Sequence, residues 1–321
     1  MKQEIVLFKK NFDEKLRAYL ENKIFIEKDN LMKDYWEDIK NYVLSGGKRL
    51  RPFILNKLNK EFAKRKDIDK MLIAFELLHN STLIEDDIID EHRIIRNKET
   101  ISSKMGNYKA LMMANILRDE GFKLIISSKS KKEGFIDAYL DITNSINKAQ
   151  LMDLHFRKDF SISEKDYIKI VELVAARFIA WMFKLGAKKE CEKEFFIMGE
   201  NIGIIFQLAD DIMDVDSDKK KGRPIGSDIM EGVATLLSIN AYRKLNSKDK
   251  KRFVKIYGNK NVNEGELYWI INKYKEKNLI KYSKHKINNY LEEIEKISTK
   301  TKIQKDHWIN ILAKYSIKRI N

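Results

Sequence analysis

The stretch TLIEDDIID, Thr82 to Asp90, decides how this chain is read. Its acidic residues sit among leucine and isoleucine, where a chain normally buries itself, and an unpaired buried carboxylate is costly. Working outward, Leu77, Leu78, Leu83, Ile84 and Ile88 recur near a 3.6-residue period, which predicts one long helix from Asp69 to about Arg93. On such a helix residues i and i+4 stack on one face with i+1 beside them. Asp86 and Asp90 then project together, with Asp87 close by. Carboxylates this close repel and require a counter-charge. Mg²⁺ meets that need, usually through one or two carboxylates completed by waters and phosphate oxygens.

The chain repeats the device in LADDIMD, Leu208 to Asp214, with Asp210, Asp211 and Asp214 at the same spacing. A solvated helix face explains one such run, but it explains two poorly when both lie in apolar surroundings. Two acidic prongs facing each other across a helical cavity would clamp a diphosphate through several Mg²⁺ ions. The ions would neutralise leaving-group charge as a C–O bond breaks. The two motifs form a loose echo, not a repeat array.

Cations suited to a diphosphate accompany them. SGGKRLRP, Ser45 to Pro52, reads as a loop entering a helix, because Gly-Gly breaks and Pro52 fits a first turn. Lys48 and Arg51, three apart at that helix start, can reach one anion. His79 alone would be an ordinary polar side chain. Two turns before Asp86 on the same face, it becomes a candidate ligand-binding residue. Arg96 and Arg223 are further candidates for phosphate forks.

Composition bounds the rest. With 13 Gly and 2 Pro in 321 residues and apolar runs at helical spacing, the expected fold class is all-α. One or two helices are expected in 1–44, then helices over 105–128, 134–157, 164–186, 190–216, 228–245 and 249–257, and a helical tail over 263–319. No strand-like alternation stands out, and no linker divides the chain, so a single domain over 1–321 is expected. The lone Cys191 allows no internal disulfide, the charged N-terminus lacks a signal peptide's apolar stretch, and no apolar run approaches the ~18 residues of a spanning helix. A cytoplasmic protein is therefore expected. The net charge of +15 invites a nucleic-acid reading. Its basic clusters at 129–132, 218–223 and 248–252 alternate with acids and carry no zinc-finger or RNA-binding motif, so a solvated surface is expected and no nucleic-acid partner.

In order along the chain, GGKRLRP, ELLHNSTLIEDDIID, FQLADDIMD and GRPIGSDIMEG resemble the trans-prenyl (polyprenyl) diphosphate synthases, from about residue 43 to the C-terminus. The resemblance implies a single helical bundle of the isoprenoid synthase type with a central active-site cavity, usually dimeric. Such enzymes join an allylic prenyl diphosphate to isopentenyl diphosphate by Mg²⁺-dependent ionisation, condensation and elimination, and the departing pyrophosphate is thought to take the proton. Carried onto this sequence, Asp86, Asp87 and Asp90 match the first metal motif, and Asp210, Asp211 and Asp214 the second. Lys48, Arg51, His79 and Arg96 match the isopentenyl diphosphate group. Phe206 and Gln207 match a pocket-lining pair, and Gln150 and Asp153 residues beside the metal cluster. Arg223 replaces a lysine and keeps its charge.

The departures fall elsewhere. Ile95 stands where the family has an arginine, Val174-Ala175 where it has Lys-Thr, Ala114-Asn115 where it has Gly-Asp, and Val233 where it has a lysine. A charge-assisted hydrogen bond is worth roughly 1.5–3 kcal/mol, so losing two weakens allylic binding by on the order of a hundredfold. Arg177, one turn after Val174, is the candidate substitute. Ser81 and Thr82, fifth and fourth before Asp86, match the positions whose bulk limits product length. Both are small, so a product of C20 or longer is expected, unless Leu78, Met112 or Met113 forms a floor. Besides an active synthase whose product is passed to a membrane, two alternatives stand: a weakly active or non-catalytic subunit of a heteromeric synthase, and a terpene-synthase-like enzyme that ionises one prenyl diphosphate.

Overall fold

Few helix breakers leave helix to follow helix. A computed structural model of the chain describes residues 1–66, 68–95, 98–128, 133–215, 225–317 and 320; Arg96 and Arg223 lie outside them. The helices are α1 (Lys2–Ile26), α2 (Asn30–Val43), α3 (Leu50–Leu58), α4 (Ile68–Ile89), α5 (Ile101–Met105), α6 (Asn107–Ile126), α7 (Glu133–Phe156), α8 (Glu164–Val171), α9 (Arg177–Gly186), α10 (Glu192–Asp214), α11 (Ser227–Glu231), α12 (Leu236–Lys244), α13 (Ser247–Ile256), α14 (Glu264–Glu276), α15 (Leu279–Lys300) and α16 (Trp308–Ile317). The fold is all-α. Side-chain caps set several starts, as where Asp29 accepts from the Met32 amide, and where Ser163 with Asp166 and Asn263 with Glu266 form capping boxes.

Two expected helices are broken, and a short ladder appears where no strand was expected. The helix expected over 164–186 is interrupted by a π-helical turn, Glu172–Ala176, between α8 and α9. The one expected over 228–245 breaks at Gly232, whose φ of 76° a side chain disfavours, into α11 and α12. A two-residue antiparallel ladder pairs Ile94 with Glu99 and Ile95 with Lys98, too short to give a readable alternation.

Two compact units make up the chain, residues 1–143 with 185–189, and residues 144–184 with 190–321. In the first, α4 is buried along most of its length from Met71 to Ile84 and packs on α6. The two helices approach closely at Gly121, where a Cβ would lie 2.8 Å from the Ala74 carbonyl oxygen. Phe75, Phe135 and Tyr139 fill the space beside them. In the second unit α10 is the buried helix, packed on α15 and on the π-helical turn. Gly203 allows that contact, since a Cβ there would meet the Ala176 Cα at 2.4 Å. A separate aromatic cluster of Phe160, Phe253 and Tyr257 anchors α12 to α14. No helix among the described residues is long and apolar enough to cross a membrane.

Candidate active site

In the first unit the site begins with the loop before α3. Gly47 has a φ of 98° and Arg49 a φ of 51°, a left-handed backbone that an arginine adopts only under constraint. The constraint is electrostatic. Arg49 is buried, its Nε donates to Asp13 Oδ1 at 2.6 Å, its Nη1 to Glu76 Oε1 at 2.6 Å and its Nη2 to the Val43 carbonyl at 2.7 Å. Asn80 steadies Glu76 by donating to its carbonyl and to Oε1. With Arg49 turned inward, Lys48 is left exposed and Arg51 half-buried on α3.

Arg51 Nη1 lies 3.0 Å from His79 Nε2. A guanidinium can only donate, so His79 accepts at Nε2 and carries its proton on Nδ1. Burial lowers the pKa of Arg51, opposed by the nearby carboxylates of Glu76 and Asp86. Arg51 and His79, both singled out by sequence, thus meet, with Asp86 near enough for its charge to act on the guanidinium.

The acids of the first motif sort onto different faces of α4. Asp86 and Asp90 stay half-exposed. Asp87 is buried and accepts from Tyr42 Oη at 2.9 Å, with His92 Nδ1 3.6 Å from its other oxygen. Glu85 pairs with Arg118 of α6. The hydroxyls of buried Ser81 and Thr82 are spent on the backbone, donating to the Leu78 and His79 carbonyls at 2.7 and 2.9 Å. Leu78, Met113 and Ala114 are buried in this unit, whereas Met112 is 54 % exposed on α6. Ile95 contributes its backbone to the short ladder.

The second motif lies in the other unit and is built differently. Asp210 is half-exposed, but Asp211 is buried, with Oδ1 accepting from Gln207 Nε2 at 2.9 Å and Oδ2 from the Tyr167 hydroxyl. Burial and the Asp211 charge push the Tyr167 hydroxyl well above its ordinary pKa, which keeps it a donor. Asp214 is buried too. Its Oδ1 accepts from Ser227 Oγ at 2.5 Å and from the Ser227 amide at 3.2 Å, and its Oδ2 from the Asp228 amide at 3.1 Å. Spacing alone made the two motifs equal prongs. In the structure Asp214 instead ties down the turn that opens α11, a role visible only once GSD is placed beside it.

The remaining candidates divide. Phe206 and Gln207 are half-buried, and Gln207 spends its amide on Asp211. Gln150 and Asp153 lie half-buried on α7, where Asp153 accepts from Arg157 Nε at 3.0 Å. Val174 sits inside the π-helical turn, an irregularity frequent at functional sites. Arg177 is 3.7 Å from Glu200 and lies over the Phe196 ring. Glu200 is ten residues, about 15 Å, before Asp210 along α10. Burial raises the Glu200 pKa against the pull of Arg177. Val233 acts through its backbone, its carbonyl accepting from Tyr257 Oη at 2.7 Å. The sequence reading missed Arg49, Tyr42 and Tyr167. The tyrosines stand 45 and 44 residues from their aspartates, beyond any local pattern.

The donors left half-exposed by the two motifs, Asp86, Asp90 and Asp210, are all carboxylate oxygens. Within either unit, such donors suit a hard divalent cation which keeps water and phosphate ligands.

Comparison with known proteins places this architecture. The family description "Polyprenyl synthetase" matches residues 33–274. The chain is 31 % identical over 282 residues to a short chain isoprenyl diphosphate synthase of Methanocaldococcus jannaschii, covering 82 % of this chain and 81 % of the relative. It is 30 % identical over 290 residues to a geranylgeranyl diphosphate synthase of Sulfolobus acidocaldarius, covering 86 % and 88 %. In fold it superimposes on the crystal structure of a decaprenyl diphosphate synthase from Rhodobacter capsulatus with a TM-score of 0.87, at 17 % identity and full coverage of both chains. With its acidic motifs, its GGKRLRP loop and its helical architecture matched together, the chain belongs to the polyprenyl synthetase family, the trans-isoprenyl diphosphate synthases.

Proposed function

We propose that this chain joins isopentenyl diphosphate to an allylic prenyl diphosphate and releases a product of C20 or longer. The observation that carries the reading is the Arg51–His79 pair, with the charge of Asp86 acting on the same guanidinium, all in one unit. Cations for one diphosphate stand there beside a carboxylate suited to a metal.

Lys48, Arg51 and His79 bind and orient the isopentenyl diphosphate, with Arg96 assigned to the same group. Asp86, Asp90 and Asp210 would hold Mg²⁺, which when bound supplies the positive charge that a departing diphosphate needs. Asp87, Asp211 and Asp214 complete the two motifs from within. Phe206, Gln207, Gln150 and Asp153 line the site, and Arg223 with Arg177 is assigned to the allylic diphosphate. The isopentenyl double bond attacks the allylic carbon, and the departing pyrophosphate takes the proton, so no side chain is needed as general base. Ser81 and Thr82 present little bulk to the growing chain, which agrees with the similarity to the geranylgeranyl diphosphate synthase of Sulfolobus acidocaldarius.

The whole chain, 1–321, acts as one polyprenyl synthetase-like domain in the cytoplasm. A homodimer is supported by the apolar side chains exposed on α6, Tyr108 at 89 %, Leu111 at 40 % and Met112 at 54 %. A second reading, a subunit that needs a partner synthase, draws on the apolar residues Ile95, Val174 and Val233 at positions of family cations.

One experiment separates these readings. The purified chain is incubated with labelled isopentenyl diphosphate, Mg²⁺ and C5, C10, C15 or C20 primers, and the products are resolved by length. Label in products of C20 or longer, abolished by chelator, is expected. No incorporation by the lone chain would favour the dependent subunit. Pyrophosphate release without label uptake would favour a one-substrate enzyme.

A further inference from the structure

The two acidic motifs share an arrangement that the chemistry above leaves unused. In each, the middle aspartate turns inward and meets a tyrosine from a neighbouring helix. Tyr42, on α2, donates to Asp87 on α4 at 2.9 Å; Tyr167, on α8, donates to Asp211 on α10. Asp87 and Asp211 are 2 % and 4 % exposed, while Asp86, Asp90 and Asp210 beside them are half-exposed.

Helical geometry links these facts. Adjacent residues differ by ~100° around the axis, so a fixed direction at Asp87 fixes where Asp86 points, and one at Asp211 fixes Asp210; Asp90, one residue past α4, follows because its amide donates to the Asp86 carbonyl at 2.9 Å. The tolerance is small. A carboxylate oxygen ~6 Å from the axis travels ~2 Å when the helix turns by ~20°, more than the ~0.5 Å that a metal site accepts. A tyrosine suits the task because its ring is rigid and its hydroxyl gives one directed bond to a charged acceptor.

We propose that Tyr42 and Tyr167 are positioning residues: in the first unit the Tyr42 hydroxyl holds α4 in the rotation that presents Asp86 and Asp90 to a metal ion, and in the second the Tyr167 hydroxyl holds α10 in the rotation that presents Asp210. The inference rests on the metal-holding role proposed above for those three aspartates. Each acidic helix carries its own restraint, so either can be released separately.

Two tyrosine–carboxylate pairs elsewhere provide matched controls. Tyr19 donates to Glu120 at 3.1 Å, and Tyr282 to Glu164 at 2.8 Å. Neither adjoins an acidic motif. The test is Mn²⁺ binding in the presence of inorganic pyrophosphate, followed by electron paramagnetic resonance on Tyr42→Phe, Tyr167→Phe, Tyr19→Phe and Tyr282→Phe, each with its Tm. Phenylalanine keeps the ring and removes only the hydroxyl. Expected is a loss of affinity of about 10–100-fold for Tyr42→Phe and Tyr167→Phe, the usual effect of removing a group that orients a metal ligand. Tyr19→Phe and Tyr282→Phe lower Tm but bind as wild type. Affinities within about twofold of wild type for Tyr42→Phe and Tyr167→Phe overturn the proposal, as does an equal loss in the controls. Wild-type protein that binds no Mn²⁺ would instead overturn the metal reading itself. Should fully buried Tyr167→Phe fail to fold, Tyr42→Phe, at a half-buried position, decides.

Discussion

Arg49 combines a left-handed backbone with a side chain shared between two carboxylates and a carbonyl. Burial lowers its pKa, but Glu76 and Asp13 outweigh that and raise it, so it stays charged. Arg49→Ala would leave Glu76 buried without its cation and is expected to cost about 3–5 kcal/mol, measured by urea denaturation. Because Arg51 follows two residues later, the KM for isopentenyl diphosphate should rise as well. Arg49→Lys, which keeps the charge but not the fork, should restore only part of either loss. At Ser81 the expected effect is on product and not on folding pattern alone. Ser81→Phe puts a ring where a fully buried small side chain sits, and chromatography should then find shorter prenyl diphosphates. The residues that sequence named here owe their visibility to spacing. Asp86 and Asp90 stand one turn apart, and His79 two turns before Asp86. Arg49 stands between two named residues and was passed over, because its partners Asp13 and Glu76 lie 36 and 27 residues away.

Between elements, Glu120 on α6 does for α1 what Arg49 does for α3. It accepts from Tyr19 and Lys123 at 3.1 and 2.8 Å and pairs with Lys23. Burial pushes its pKa up, but the hydrogen bonds from Lys123 and Lys23 outweigh it, leaving a value below the ordinary 4.5. A depressed carboxylate contributes stability that is present above the unfolded pKa and lost as pH falls through the folded one. Urea midpoints should therefore show Glu120→Gln less stable than wild type at neutral pH, with the gap closing once pH drops below about 4.5. At this scale helix existence was legible, since α4, α6, α7 and α10 follow long apolar periodicities. The breaks were less so. Gly232 needed its φ, and the π-helical turn at Glu172–Ala176 carries neither Gly nor Pro to mark it.

For the whole molecule the order of motifs carried most of the information, because GGKRLRP and two acidic runs arriving in sequence leave few alternatives. Sequence could not weigh the exposed apolar face of α6. Tyr108, Leu111 and Met112 fit a helical stripe equally well inside a core, yet all three are exposed on the chain described. If that stripe joins two copies, Met112→Lys should convert a dimer to a monomer in sedimentation equilibrium while helical content by circular dichroism stays unchanged. A net charge of +15 gives each copy a strong like-charge repulsion. Lower salt should therefore shift the same equilibrium toward monomer.

The π-helical turn has one further consequence, for changes in chain length. Such a turn holds one residue more than α-helical bonding requires. Deleting a single residue within Glu172–Ala176 would let α8 and α9 close into one unbroken helix, so the backbone can absorb the loss. Phase would change instead of hydrogen bonding, by ~100° between Tyr167 on one side and Arg177 on the other. The extra residue acts as a clutch between two helical faces, and its removal would engage them in a different alignment.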